Sequence, residues 1–227
     1  MAEPSSGDFE PYALFDVAAY AARVRAGAEA RGGHFLLGVD GPGASGKSTL
    51  AGQLARHLPE AHVVHVDDFY LPSADRPRPG AQPGAPVVPG FDLRRLREQV
   101  LAPAAGGEPV AYERYDWGSD RLGERVELPA GTPLIVEGVY STHLAARAFY
   151  HHRLFCRAAR ALRLRRGLAR DGAAAEPRWT GEWMPAEDAY VAAERPDLAA
   201  DAVLSSDREA AGEDGPRYWN TGRRNVR

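Results

Sequence analysis

The chain of 227 residues is 44% apolar and 26% charged, which suits one compact domain, alone or with a small appendage, and excludes disorder over most of its length. Its net charge of −3 supplies no overall field for nucleic acid or an anionic membrane, and no apolar run reaches the roughly 18–20 residues of a membrane span. The single cysteine, Cys156, leaves no internal disulfide, so a reducing cytoplasm is the expected setting, and the acidic opening MAEPSSGDFE lacks the apolar core of a signal peptide.

Apolar spacing predicts a leading helix over Pro11–Ala30, closed by Gly32-Gly33. His34–Asp40 reads as a buried strand, followed by a glycine-rich turn and a helix from about Lys47 to Leu58. Val63–Val66 is a second strand, ending at Asp67-Asp68. Residues 71–90 hold six prolines and three glycines, a long irregular loop of the kind that usually carries function. A helix follows over Leu93–Leu101 with Asp92 as its cap. Val110–Tyr115 and Arg125–Leu128 are expected to pair as a hairpin around Asp116–Gly123. Leu134–Val136, His152–Cys156 and Ala202–Leu204 complete the strands. An Arg-rich helix over 158–171, a break at Gly172–Pro177 and a helix from Pro185 to Glu194 lie between the last two. The expectation is an α/β fold with a mainly parallel five-stranded sheet. Residues 1–31 would form an N-terminal helical extension, 32–205 the main domain with a lid at about 158–180, and 206–227 a loose polar tail.

Of the 28 basic residues only one is lysine, Lys47, so it is expected where a compact flexible ammonium is needed and arginine will not serve. It sits in Gly41-Pro-Gly-Ala-Ser-Gly-Lys-Ser48, which fits the phosphate-binding G-x-x-x-x-G-K-[ST] loop and lies between a strand and a helix, as that loop requires. Gly41, Gly43, Ala44, Ser45, Gly46, Lys47, Ser48 and Thr49 are therefore expected to bind ATP. Backbone N–H groups and the helix N-terminus would cradle phosphate, Lys47 would reach the terminal phosphates, and Ser48 would ligate Mg²⁺. With the only lysine committed there, the N-K-x-D motif of a guanine-specific GTPase is missing, and no L-S-G-G-Q stretch marks a transporter ATPase.

Asp67, Asp68 and Glu137 end predicted strands on the side where ligands bind in open α/β sheets, placing them to take a hydroxyl proton or hold Mg²⁺. Residues 153–170 carry seven arginines and no acid. Arg163, Arg166 and Arg170 share one helical face and can neutralise charge on a transferred phosphoryl group, whereas Arg165 points elsewhere. The seven histidines show no metal-ligand spacing and read as structural or solvent-facing. Trp179, Trp183, Glu187 and Tyr190 read as lining for the lid or the substrate pocket, or as ordinary packing.

The motifs G-P-G-A-S-G-K-S at 41–48, D-D-F-Y at 67–70, R-Y-D-W at 114–117, V-E-G-V-Y at 136–140 and R-L-R-R-G-L-A-R-D at 163–171 resemble the uridine kinase and phosphoribulokinase family of P-loop kinases, over roughly residues 34–205. The resemblance implies Asp67 as the base, Tyr70 beside the substrate and Glu137 at the magnesium site. It implies Asp92 on the ribose hydroxyls, Tyr115 beside the nucleobase and a mobile Arg-rich lid, often in a homo-oligomer. The chain has Asp120 where the pattern has histidine, and Gly167 where it has one of two lid arginines. Asp120, with Arg121 beside it, either reads an acceptor, favouring cytosine's amino group over uracil's carbonyl, or pairs with Arg121 or Arg114 at the hairpin tip. The expected activity is ATP- and Mg²⁺-dependent phosphoryl transfer to a small-molecule hydroxyl, most simply of a nucleoside. Pantothenate or nicotinamide riboside as acceptor, or a nucleotide-switched regulatory ATPase, are the alternatives.

Overall fold

The computed structural model describes residues 13–76, 90–207, 211–212 and 215–221. Asp16 caps the first helix, α1 (Val17–Glu29), by accepting the Ala19 N–H at 2.9 Å. Strand β1 (Leu36–Asp40), wholly buried, leads through the glycine-rich turn into α2 (Lys47–His57). Strand β2 (His62–His65) runs into a 3₁₀ turn over Val66–Phe69. A continuous helical stretch follows: α3 (Leu93–Arg95), a π-helical segment (Leu96–Leu101) and α4 (Ala102–Ala105). Strands β3 (Val110–Asp116) and β4 (Arg121–Leu128) form the hairpin, and β5 (Leu134–Glu137) returns to the sheet. The short α5 (Leu144–Arg147) precedes β6 (His152–Arg157). Next come α6 (Arg160–Asp171), α7 (Glu176–Arg178), a π-helical stretch (Trp179–Trp183), α8 (Met184–Glu194) and α9 (Pro196–Ala199). Strands β7 (Ala202–Ser205), β8 (Ala211–Gly212), β9 (Gly215–Pro216) and β10 (Trp219–Asn220) close the described chain.

The main sheet has the order β10-β7-β6-β1-β5-β2, parallel except for β10. β1 lies between β5 and β6, so the crossovers leave it in opposite directions. The crevice at its C-terminal end is the topological switch point where open α/β sheets bind ligands. Alternate β1 side chains go to opposite faces. Leu37 and Val39 join α1 and α2 in one core cluster, while Leu36 packs with the 96–104 helical stretch and the hairpin in another.

Three differences from the sequence reading have physical causes. The sheet has six strands: β10 pairs antiparallel with β7 (Trp219 opposite Ser205), covering an edge that would otherwise leave backbone groups unpaired. Tyr218 is buried in the α1–α2 core, so the segment read as loose tail is anchored there by one aromatic side chain. The break after α6 is shorter than expected, since Gly172, at φ 86°, and the turn Ala173–Ala175 end before Pro177. That proline falls in the first turn of α7, where its missing N–H costs nothing. Val66 belongs to the turn after β2 rather than to the strand. Residues 77–89 of the Pro-rich loop lie outside the described residues.

Candidate active site

A cleft of about 770 Å³ opens at the C-terminal ends of β1, β5 and β2. Asp40, the last residue of β1, is fully buried, and its carboxylate is a hub that the sequence reading passed over. It accepts the N–H groups of Gly41 (2.6 Å), Tyr140 (3.2 Å) and Thr142 (2.9 Å) and the hydroxyls of Thr142 (2.6 Å) and Tyr190 (2.6 Å). One acid thus joins the start of the glycine-rich loop to the loop after β5 and to α8. A carboxylate ending a buried strand must find such donors, and that was the available signal.

Gly41 (φ 141°) and Gly46 (φ 96°) take conformations closed to ordinary side chains, and a Cβ at Gly41 would run into the Cys156 carbonyl. Gly46 then caps α2, whose first N–H groups lack helical partners. Gly43, Ala44, Gly46, Lys47, Ser48 and Thr49 line the cleft; Ser45 is buried behind it. Lys47 is buried to 6% exposure and donates to the Pro42 carbonyl at 3.0 Å.

The parallel register sets His65 opposite Glu137. Glu137 is buried, accepts from the Ser48 hydroxyl at 3.1 Å and lies 2.5 Å from His65 Nδ1. Burial would raise its carboxyl, but His65, Lys47 and Ser48 outweigh that and hold it below its ordinary pKa. Among the histidines, His65 is thus the one held against a cleft-lining acid. Asp67 faces the cleft, accessible from its mouth but crowded by protein on its other sides. That crowding raises its pKa; Lys47 and Arg170 oppose the rise, and the Glu137 charge adds to it. Asp68 turns away, toward Arg114 Nε (3.4 Å) and the Tyr112 hydroxyl (3.4 Å).

The far wall is aromatic. Tyr70 stacks on the half-exposed Trp117 (4.7 Å between centroids) and meets Phe91 edge-on (4.8 Å), and Phe91 in turn touches Tyr140 (5.5 Å). Tyr140 holds φ at 70°. Tyr115 and Asp120 sit behind this wall. Asp120 accepts from the Tyr115 hydroxyl (2.6 Å), the Ser73 N–H (3.0 Å) and Arg76 Nη2 (3.3 Å), which hold its carboxyl below the ordinary range. Its expected partners Arg121 and Arg114 are replaced by Arg76, which also lies over the Tyr70 ring at 4.5 Å. Arg121 is exposed, opposite Asp116 in the hairpin register. Asp92 caps α3 through the Arg95 N–H (3.0 Å), and its neighbour Phe91 is the one that lines the cleft.

The arginines of α6 divide. Arg170 and Arg166 line the cleft: Arg170 is paired with Asp171 (2.7 Å), and Arg166 is bonded to the Ser206 hydroxyl and carbonyl (2.8 and 2.9 Å). Arg163 is buried and pairs with Glu187 (3.0 Å), tying α6 to α8 instead of facing the cleft. Trp179, buried to 1% exposure, and Glu187 reach the loop itself. A Cβ on Gly43 would come within 2.8 Å of Glu187 Oε1 and 3.0 Å of the indole, and the Gly43 N–H donates to the Glu187 carboxylate.

No family model matches the chain. Over half of the chain, 122 residues, it is 33% identical to the pantothenate kinase of Leifsonia xyli, covering 38% of that protein. Over 41 residues it is 44% identical to human nicotinamide riboside kinase 1, covering 21% of that protein. The chain thus spans two-fifths or less of the length of these curated relatives. The solved structure of a "possible uridine kinase" from Bacillus stearothermophilus superposes with a TM-score of 0.57 at 24% identity, covering 75% of this chain and 88% of that one. The chain shares the fold of that solved structure, here a mainly parallel six-stranded sheet flanked by helices.

Proposed function

We propose that the chain is an ATP-dependent phosphotransferase that moves a γ-phosphoryl group to a hydroxyl of a small molecule, with a nucleoside as the acceptor its pocket suits best. The observation that carries this reading is one cleft holding a phosphate loop with Lys47 and Ser48 on one side and an aromatic wall on the other. Asp67 lines the same cleft. Lys47 and the loop amides hold the phosphates, and Arg166 and Arg170 close over them from the lid side. Asp67 accepts the acceptor's proton. Tyr70 and Trp117 offer flat faces to a ring.

Mg²⁺ accompanies ATP in such chemistry, where it neutralises charge on the β- and γ-oxygens. The donors present suit it: the Ser48 hydroxyl and the Glu137 carboxylate are hard oxygen ligands that meet at the loop. Among the described residues no group of three or more His, Cys, Asp and Glu forms a ready-made metal cage.

The named relatives differ in acceptor, and pantothenate or a nicotinamide riboside remains the nearest alternative. A nucleotide-switched ATPase with a protein partner is disfavoured, because it has no use for an aromatic pocket beside the transferable phosphate. The partners proposed are ATP and the small acceptor, with no role for nucleic acid. Among the described residues no helix is long and apolar enough to cross a membrane. The test is acceptor-dependent ADP release across nucleosides, pantothenate, nicotinamide riboside and sugar phosphates. Release stimulated by one hydroxyl class supports the reading; hydrolysis indifferent to every acceptor contradicts it.

A further inference from the structure

The peptide plane is rigid and trans, so the C=O of one residue and the N–H of the next point in opposite directions. Whatever grips a loop carbonyl from outside therefore aims the following amide inward. Two residues far away in sequence do this at the phosphate loop. The Ser206 hydroxyl donates to the Ser45 carbonyl at 2.9 Å, which sets the direction of the Gly46 N–H. The Tyr218 hydroxyl donates to the Gly46 carbonyl at 2.6 Å, which sets the direction of the Lys47 N–H. The Gly46 carbonyl also takes the first helical bond of α2, from the Leu50 N–H at 3.0 Å.

Both gripping residues are buried and firmly mounted. Tyr218 is 1% exposed, packs in the α1–α2 core, and its carbonyl accepts the Phe15 N–H at 2.8 Å. The strand that follows it is hydrogen-bonded to β7. The Ser206 hydroxyl also accepts from Arg166 Nη1 at 2.8 Å, so a lid arginine is wired through one oxygen to the loop backbone. Both residues also line the cleft, with Thr49 and Arg166.

We propose that Ser206 and Tyr218 are positioning residues: they lock the Ser45–Gly46 and Gly46–Lys47 peptide planes with their amides toward the phosphates. The segment 215–221 is thereby part of the nucleotide site. This rests on the reading of the loop as a phosphate cradle. A loop left free to rotate these two peptides would bind phosphate only in the fraction of time both amides face it, whereas a gripped loop loses no such freedom on binding.

The test uses the full chain, with Tyr218→Phe and Ser206→Ala each removing one hydroxyl. Mg·ADP affinity is measured by calorimetry, melting temperature by scanning, and KM for ATP and for the acceptor found by the panel above. Each variant should bind Mg·ADP about fivefold more weakly, the size of one lost hydrogen bond, and the pair together about 25-fold. The KM for ATP should rise in parallel while the acceptor's KM stays within about twofold. Unchanged Mg·ADP affinity in both variants would overturn the proposal. So would equal losses for ATP and acceptor that track a fall in melting temperature, the mark of a purely structural role. Failure of the unmodified chain to bind Mg·ADP would instead overturn the phosphate-cradle reading itself.

Discussion

The indole of Trp179 lies directly against the backbone of Gly167, so closely that a Cβ there would overlap its ring. The same indole approaches Gly43 of the phosphate loop and donates to Asp171 at 3.0 Å. A large flat ring thus takes the space between α6 and the loop.

Gly167→Ala is accordingly expected to destabilise the protein. In an open helix interior the change would gain about 0.5–1 kcal/mol. Against the buried indole, overpacking costs roughly 1–3 kcal/mol and wins. Thermal melts should show a drop of a few degrees, about 2–4 °C per kcal/mol for a chain this size. In a Trp179→Ala background the same glycine substitution should carry no such penalty. A rise in melting temperature for the single variant would show that the indole does not hold this place.

Lys47→Arg is expected to fail almost as badly as Lys47→Ala. The ammonium is buried and bonded to the Pro42 carbonyl, and a planar guanidinium cannot take that space inside the tight turn. Turnover should fall on the order of 10²-fold or more in both. Steady-state rates would check this, and near-normal turnover in Lys47→Arg would remove the loop from the phosphate site.

The strands, the phosphate loop and the strand-end acids were legible because they obey local rules: buried apolar runs, glycines at required turns, and acids at strand ends facing the crevice. The cap at Asp92 followed in the same way. Long-range contacts were not legible. Glu187, Ser206 and Tyr218 meet the loop through side chains whose sequence neighbours carry no motif, and the place of Asp40 just before Gly41 does not reveal its bonds to Tyr140, Thr142 and Tyr190. Arg76 was hidden for a similar reason, since a Pro-rich stretch gives no period from which to read a direction. Arg163 shares its helical face with Arg166 and Arg170 as the spacing implies, but Glu187 on α8 claims it.

Asp120 is expected to act as a clasp between the hairpin tip and the 73–76 segment. Its carboxylate is already engaged by Ser73, Tyr115 and Arg76, and Arg76 in turn covers Tyr70. Asp120→His and Arg76→Ala should therefore raise the acceptor's KM several-fold, as lost hydrogen bonds of about 1 kcal/mol each would, and leave the KM for ATP alone. If nucleosides are acceptors, the ratio of uridine to cytidine use should barely move in Asp120→His. A marked shift toward uridine would place Asp120 in contact with the base.

Asp67→Asn, assayed for both transfer and nucleotide binding on the same preparation, tests the central claim most directly. The variant keeps the shape of the side chain and removes its ability to take a proton. Acceptor-dependent ADP release should fall by roughly 10²–10⁴-fold, while Mg·ADP affinity stays within a few-fold of the unmodified protein. Transfer at the unmodified rate would contradict the account, because the base would then have to be another acid and Asp67 would have no part in the chemistry.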